Sequence, residues 1–195
     1  MSRLVLVLGD THIPDRATSI PRVIANYISE HAPWELVLFT GDLTGESVLE
    51  WLKTISRRLY VVRGNMDYLP LPRQAVIEYE WLRIGLVHGD GIYPRGNPVE
   101  LSKIAKKLNV QLLVSGHTHA DFARMSPDST ILLLNPGSLT GVWGGGGGSY
   151  TPSFMVIKVL SEKCIQVKTY LLRGGSLEHA TSTFCAENSS WRQLL

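Results

Sequence analysis

Four of the chain's six histidines sit where an apolar run gives way to a glycine-flanked turn: His12 in "GDTH", His88 in "VHGD", and His117 and His119 in "GHTH". Two further runs end on Asp42 in "TGD" and on Asn65 in "RGN". Loops at the carboxyl ends of strands in an open α/β sheet line its binding crevice, so these turns are expected to deliver His, Asp and Asn side chains to one rim. A lone Gly-Asp is an ordinary turn, and a lone His an ordinary surface residue. Five such strand ends in one chain carry the inference. Asp10 and His12 are separated by one residue, which in an extended segment points both side chains to the same face. His117 and His119 repeat that spacing. The oxygen and nitrogen donors outnumber what one tetrahedral zinc takes. They suit two adjacent divalent ions sharing a carboxylate, about 3.5–4 Å apart in such sites. With no thiolate in the set, Mn or Fe is favoured over a structural zinc, with Zn or Ni admissible.

The elements that must position these residues alternate strand and helix, which predicts βαβ units and a largely parallel sheet. "LVLVLG", "ELVLFTG", "LYVVRG" and "QLLVSG" read as buried strands. "SIPRVIANYISEHAP" reads as a helix with Ser19 as N-cap and Val23, Ile24, Tyr27 and Ile28 on one face. "GESVLEWLKTIS" and "NPVELSKIAKKLN" read as two more helices, and "AVIEYEWLRIGLVHG" as two strands with a tight connection. From Asp121 onward the pattern is all β, with turns such as "SPDS" and "SEK" between antiparallel neighbours, so a mixed architecture follows, with sheets in the middle and helices outside. Residues 173–195 are polar and rich in glycine and serine, and read as a C-terminal tail carrying a short terminal element around Trp191 and Leu194.

The 195 residues suit one compact domain with a tail, and 44% hydrophobic with 18% charged residues is an ordinary globular balance. A formal net charge of +2 offers no electrostatic case for nucleic acid or an anionic membrane, though a nucleic-acid partner is not excluded. Cys164 and Cys185, the two cysteines, lie in different local contexts and are expected to be reduced thiols. The opening apolar run, Leu4 to Leu8, is too short for a signal peptide and no segment reaches spanning length. A cytoplasmic protein is the expectation.

Taken together, "GDTHIPD", "GDL", "GNMD", "HGD" and "GHTH" resemble the calcineurin-like metallophosphoesterase superfamily. The small size and "GHTHA…NPGS" resemble its compact YfcE-like and VPS29-like phosphodiesterase branch, over about residues 3–172. That resemblance implies an α/β fold, a four-layer α/β/β/α sandwich, for a metallophosphoesterase domain at 1–172 ahead of the tail at 173–195. It implies that Asp10, His12 and His119 hold one metal, that Asn65, His88 and His117 hold the other, and that Asp42 bridges them. The expected cofactor is two divalent ions per chain, Mn first, with Ni, Fe, Zn, Co or Mg as alternatives. The expected catalytic set is Asp42, Asn65, His88 and Asp67. The implied function is a binuclear phosphodiesterase acting on a small phosphoester by in-line attack of a bridging hydroxide. The alternative is a VPS29-like protein-interaction scaffold that keeps a metal site, and homo-oligomerisation is left open.

Two divalent ions offset by Asp10, Asp42 and a hydroxide would leave about one positive charge for an anionic phosphoryl oxygen. Many members of the superfamily place a histidine after the metal-binding Asn to help protonate the leaving group. Here Met66 stands there, so good leaving groups should fare best. Asp67 is a candidate orienting group, with a turn carboxylate as the competing role. Asp90 is a candidate to fix an imidazole. Lastly, "GVWGGGGGSY" lacks the Lys-Ser/Thr of a phosphate-binding loop and leads into a strand, so Gly144–Gly148 is not a phosphate cradle. It is expected to be a flexible flap at the rim, with Trp143 or Tyr150 packing on substrate or on a neighbouring chain.

Overall fold

The structure is a computed structural model that describes residues 4–194; residues 1–3 and 195, inside the expected domain and tail, lie outside it. The opening apolar run forms β1 (Leu4–Leu8), paired in parallel with β2 (Leu36–Phe39), which pairs in parallel with β3 (Leu59–Val61). The first helix, α1 (Arg22–Glu30), lies between β1 and β2, and α2 (Glu46–Ile55) between β2 and β3. Next come the hairpin β4 (Gln74–Tyr79) and β5 (Leu82–Val87), then α3 (Pro98–Lys107) and β6 (Leu112–Val114). The chain then runs through β7 (Asp121–Met125), β8 (Leu132–Pro136), β9 (Ser153–Val159), β10 (Cys164–Arg173), β11 (Ser176–Glu187) and β12 (Ser190–Leu194). One sheet has the order β12-β11-β10-β9-β1-β2-β3, the other β4-β5-β6-β8-β7. Both are mixed.

The alternation of side chains across each strand builds the layers. Val5, Val7, Leu36 and Leu38 meet Leu112, Val114, Leu132 and Leu134 in the core between the two sheets. Their neighbours Leu6, Leu8, Val37 and Phe39 face the other way, onto Ile24 and Ile28 of α1 and Val48 and Leu52 of α2. On the far side Leu113 and Leu133 pack against Leu101 and Ala105 of α3. Strands buried on both faces must be apolar throughout, and those runs are. The α/β/β/α order of layers is thus as the sequence implied.

Several local expectations are corrected. The first helix begins at Arg22, with Pro21 and not Ser19 at its N-cap, because a residue preceding proline is driven out of the helical region. Val23 is exposed, while Ile24 and Ile28 are buried. In α3, by contrast, Asn97 caps as its position suggests, accepting from the Val99 amide at 2.9 Å.

The short element expected around Trp191 and Leu194 is β12, but most of the rest of the segment 173–194 is strand as well and not a loose tail. Gly174 and Gly175 both have positive φ and close a hairpin between β10 and β11, and β12 adds the outermost strand of the sheet. Trp191 is buried in the inter-sheet core, and its indole N–H donates to the Gln111 carbonyl at 2.9 Å. The polar look of β11 arises because its first half is largely exposed. The same hairpin places Cys164 directly opposite Cys185, and the two form a disulfide rather than free thiols. Among the described residues no helix is long and apolar enough to cross a membrane.

Candidate metal centre

The rim at the carboxyl ends of β1, β2, β3, β5 and β6 gathers the seven residues expected to be ligands. One carboxylate oxygen of Asp10 and one ring nitrogen each of His12 and His119 lie within 4.8 Å of one another. Asp42, His88 and His117 form a second group on the same criterion. The Oδ2 atom of Asp42 stands between the groups, 3.3 Å from His12 Nε2 and 3.4 Å from His88 Nε2. Asn65 joins the second group through Oδ1, 3.1 Å from His88 Nε2. Asp10 Oδ1 is 3.4 Å from His119 Nε2, completing the first.

Convergence is reached differently from the extended geometry expected of Asp10-x-His12. Asp10, His12, Asp42, His117 and His119 all adopt left-handed backbone, with φ between 48° and 68°. Each such residue costs on the order of 1–3 kcal/mol, so five together must be held by their surroundings. Hydrogen bonds do that holding. The amides of Asp10 and His12 donate to the carbonyls of Gly41 and Asp42, both at 3.0 Å, lacing the β1 loop to the β2 loop. The Ser138 hydroxyl donates to the Asp10 carbonyl at 2.7 Å, and the Thr140 hydroxyl to that of Thr11 at 2.9 Å. The Asn135 amide donates to the Gly116 carbonyl at 2.8 Å, fixing the turn into His117. Asn135 and Ser138 are the ends of the "NPGS" motif and Thr140 lies two residues beyond it, so the motif's role is to support the ligand-bearing turns.

Asp67 is buried, and both its oxygens accept backbone amides: Asp42 and Gly64 at 2.8 Å and Thr44 at 2.9 Å. It clamps the β2 loop to the β3 loop and so sets where Asp42 stands. Asp90 is exposed and does not fix an imidazole; the Nδ1–H of His88 donates instead to the Thr40 carbonyl at 2.8 Å. His119 is fixed in the same way, its Nδ1–H donating to the Val142 carbonyl at 2.7 Å. Both rings thereby present Nε2 to the centre.

The glycine-rich loop is where His119 finds that partner. Gly144 lies flat on the His119 ring: a Cβ there would come within 2.6 Å of Cδ2 and 2.9 Å of Nδ1. Two arginines that sequence reasoning overlooked hold the loop. Arg16 donates to the Trp143 carbonyl at 2.8 Å, and Arg95 donates to that of Gly144. Both follow a motif strand end within its own loop, the signal that could have marked them. Trp143 and Tyr150 are more than half exposed on the same loop.

Burial lowers the His12 pKa to about 4 despite the Asp42 and Asp10 carboxylates. Burial likewise lowers His117 to about 4, helped by the His88 and Arg95 charges. Both imidazoles are therefore neutral, with a lone pair free, at ordinary pH. Burial also disfavours a charged His88, but hydrogen bonding to Asp42 and the Asp10 and Asp42 charges outweigh it and raise His88 to about 9. Asp42 is held below the usual carboxylate range: burial pushes it up, and the His88 hydrogen bond and charge more than reverse that. His12 and His119 set their Nε2 atoms 3.1 Å apart, and His12 Nδ1 is buried without a partner among the described residues. Clustered, dehydrated nitrogen and carboxylate donors of this kind fit divalent cations.

The calcineurin-like phosphoesterase superfamily domain matches residues 4–161. A probable metallophosphoesterase of Methanocaldococcus jannaschii is 42% identical over 137 residues, covering 70% of this chain and 68% of that protein. A second, from Methanothermobacter thermautotrophicus, is 39% identical over 163 residues, covering 82% and 88%. Among solved structures, wild-type Vps29 of Entamoeba histolytica complexed with zinc superposes with a TM-score of 0.82 at 32% identity, covering 91% of this chain and 97% of that one. The chain belongs to the calcineurin-like phosphoesterase superfamily.

Proposed function

We propose that this member of the superfamily is a binuclear metal-dependent phosphodiesterase. Asp10, His12 and His119 hold one ion, Asn65, His88 and His117 the other, and Asp42 bridges them. The observation that carries this is Asp42 Oδ2 standing 3.3 Å and 3.4 Å from a histidine of each group. Two divalent ions so bound, Mn being the first choice, supply a hydroxide nucleophile near neutral pH and positive charge for a phosphoryl oxygen.

The chain's own residues do the rest. The Thr40 and Val142 carbonyls lock two imidazoles with Nε2 inward, and neutral His12 and His117 ligate without first losing a proton. Asp67 keeps Asp42 between the groups by gripping its backbone amide. Arg16 and Arg95 add cations at the rim, on the side where the glycine-rich loop lies. Met66 carries no proton for a departing alkoxide, so diesters with good leaving groups are the preferred substrates.

Purified protein supplied with Mn²⁺ should cleave bis-p-nitrophenyl phosphate, and His117→Ala or Asp42→Ala should abolish cleavage. The Vps29 likeness, which spans nearly all of both chains, favours a second reading: an interaction scaffold that keeps its metal site. Wild-type protein inert with Mn, Ni, Co, Zn and Mg alike would decide for the scaffold.

A further inference from the structure

A hollow of about 190 Å³ opens beside the metal rim, walled by Arg95, Thr118, Phe122, Arg124 and the backbone of Gly146 and Gly147. Thr118, one wall of the hollow, is the residue between His117 and His119, a histidine of each group. Arg95 reaches it from the loop between β5 and α3, Arg124 from β7. Arg124 donates to the Gly96 carbonyl at 2.6 Å and stacks over the Phe122 ring, 4.3 Å from its centroid. Arg95 donates to the Gly144 carbonyl. Each guanidinium is thus steadied by a neutral oxygen and keeps further N–H donors.

Among the described residues neither arginine has a carboxylate partner. Two guanidiniums around one hollow repel each other unless an anion sits between them. Their forked N–H groups match the oxygens of a phosphate. Whole drug-sized ligands fill about 300–1,000 Å³, so this hollow takes one substituent and not a complete nucleotide.

We propose that this hollow is a second-phosphate subsite: the substrate carries another phosphate, gripped by Arg95 and Arg124 while the scissile one faces the metal rim. The proposal rests on the phosphoester reading above and names its substrate class. A second phosphate has two sources, a small bisphosphate or the next phosphate along a nucleic-acid strand. Tyr93, 89% exposed and two residues before Arg95, gives a strand a face for base stacking that a small bisphosphate does not need.

Calorimetry on the full chain with Mn²⁺ compares thymidine 3′,5′-bisphosphate with thymidine 5′-phosphate. The bisphosphate should bind about tenfold tighter or more, as charge-assisted bonds to phosphate require. Arg124→Gln and Arg95→Gln should each bring that ratio close to one, with melting temperatures confirming that both variants fold. A ratio near one in the wild type, or a ratio preserved in both variants, overturns the proposal. Trithymidylate separates the sources: extra affinity over the bisphosphate that Tyr93→Ala removes marks a strand, and equal affinity marks the small molecule. Thymidine 5′-(p-nitrophenyl phosphate), with and without a 3′-phosphate, gives the KM ratio for turnover. Inert protein that keeps the binding ratio would sink the phosphodiesterase alone, and active protein with a ratio of one would sink the subsite alone.

Discussion

Gly144→Ala puts a single methyl group where the structure has no room for it. The new Cβ would stand 2.6 Å from Cδ2 and 2.9 Å from Nδ1 of His119, whereas carbon contacts are comfortable from about 3.5 Å. Either the imidazole or the loop must yield by something approaching 1 Å. If the loop lifts, the 2.7 Å bond from His119 Nδ1–H to the Val142 carbonyl is lost. If the ring swings, Nε2 leaves its place 3.4 Å from Asp10 Oδ1. Ligand positions tolerate only about 0.2 Å, and losing a carbonyl that orients a ligating histidine costs roughly 10–100-fold in metal affinity. Calorimetric titration with Mn²⁺ should therefore show one of two sites weakened by that factor and the other, built on His88 and His117, nearly unchanged. Gly91→Ala is the control, since a Cβ there meets nothing within 4 Å and its backbone is not left-handed. Gly144→Ala with both sites at wild-type affinity would refute the reasoning.

Asp67→Ala strips acceptors from the amides of Asp42, Gly64 and Thr44, and should lower unfolding stability by about 3 kcal/mol in denaturant titrations. Trp191→Ala should cost about 3–5 kcal/mol, the figure for emptying a buried aromatic site; a loss under about 1 kcal/mol would mean that β12 is not part of the fold. Metal-free protein should melt highest near pH 6.5. Below that, the unfolded chain takes up protons that His12 and His117 refuse until about pH 4, so stability falls as pH drops. Above it, folded His88 keeps until about pH 9 a proton the unfolded chain has lost, so stability falls as pH rises. Two groups act on the acid side against one on the other, so the acid limb should be steeper; a flat profile from pH 5 to 9 contradicts the assignment.

The strands that carry the rim were legible because burial on both faces demands unbroken apolar runs, as in Leu4–Leu8 and Leu36–Phe39. The candidate ligands were legible because each stands just past such a run in a turn that contains a glycine, five of the seven directly beside it and His12 and His119 two residues on from Asp10 and His117. What was hidden depends on contacts distant in sequence. Asp67 looks like any turn carboxylate until the β2 and β3 loops are side by side. Asp90 has the right neighbour in sequence, yet it is exposed, and the Thr40 carbonyl, distant in sequence, serves His88 instead. Residues 173–194 look like a tail because an exposed strand needs few apolar side chains, although Gly174-Gly175 is itself a hairpin signal. Reading that hairpin would also have paired Cys164 with Cys185. The glycine run, whose composition suggests slack, sets Gly144 against the His119 ring, where only a residue without a side chain fits.

The central claim is a centre of two ions that share Asp42, and metal stoichiometry tests it most directly. Dialysed protein titrated with Mn²⁺ should bind two ions per chain, and Asp42→Asn should weaken both, since Oδ2 faces a histidine of each group. Saturation at one ion, or an Asp42→Asn variant that weakens only one of two sites, would contradict it.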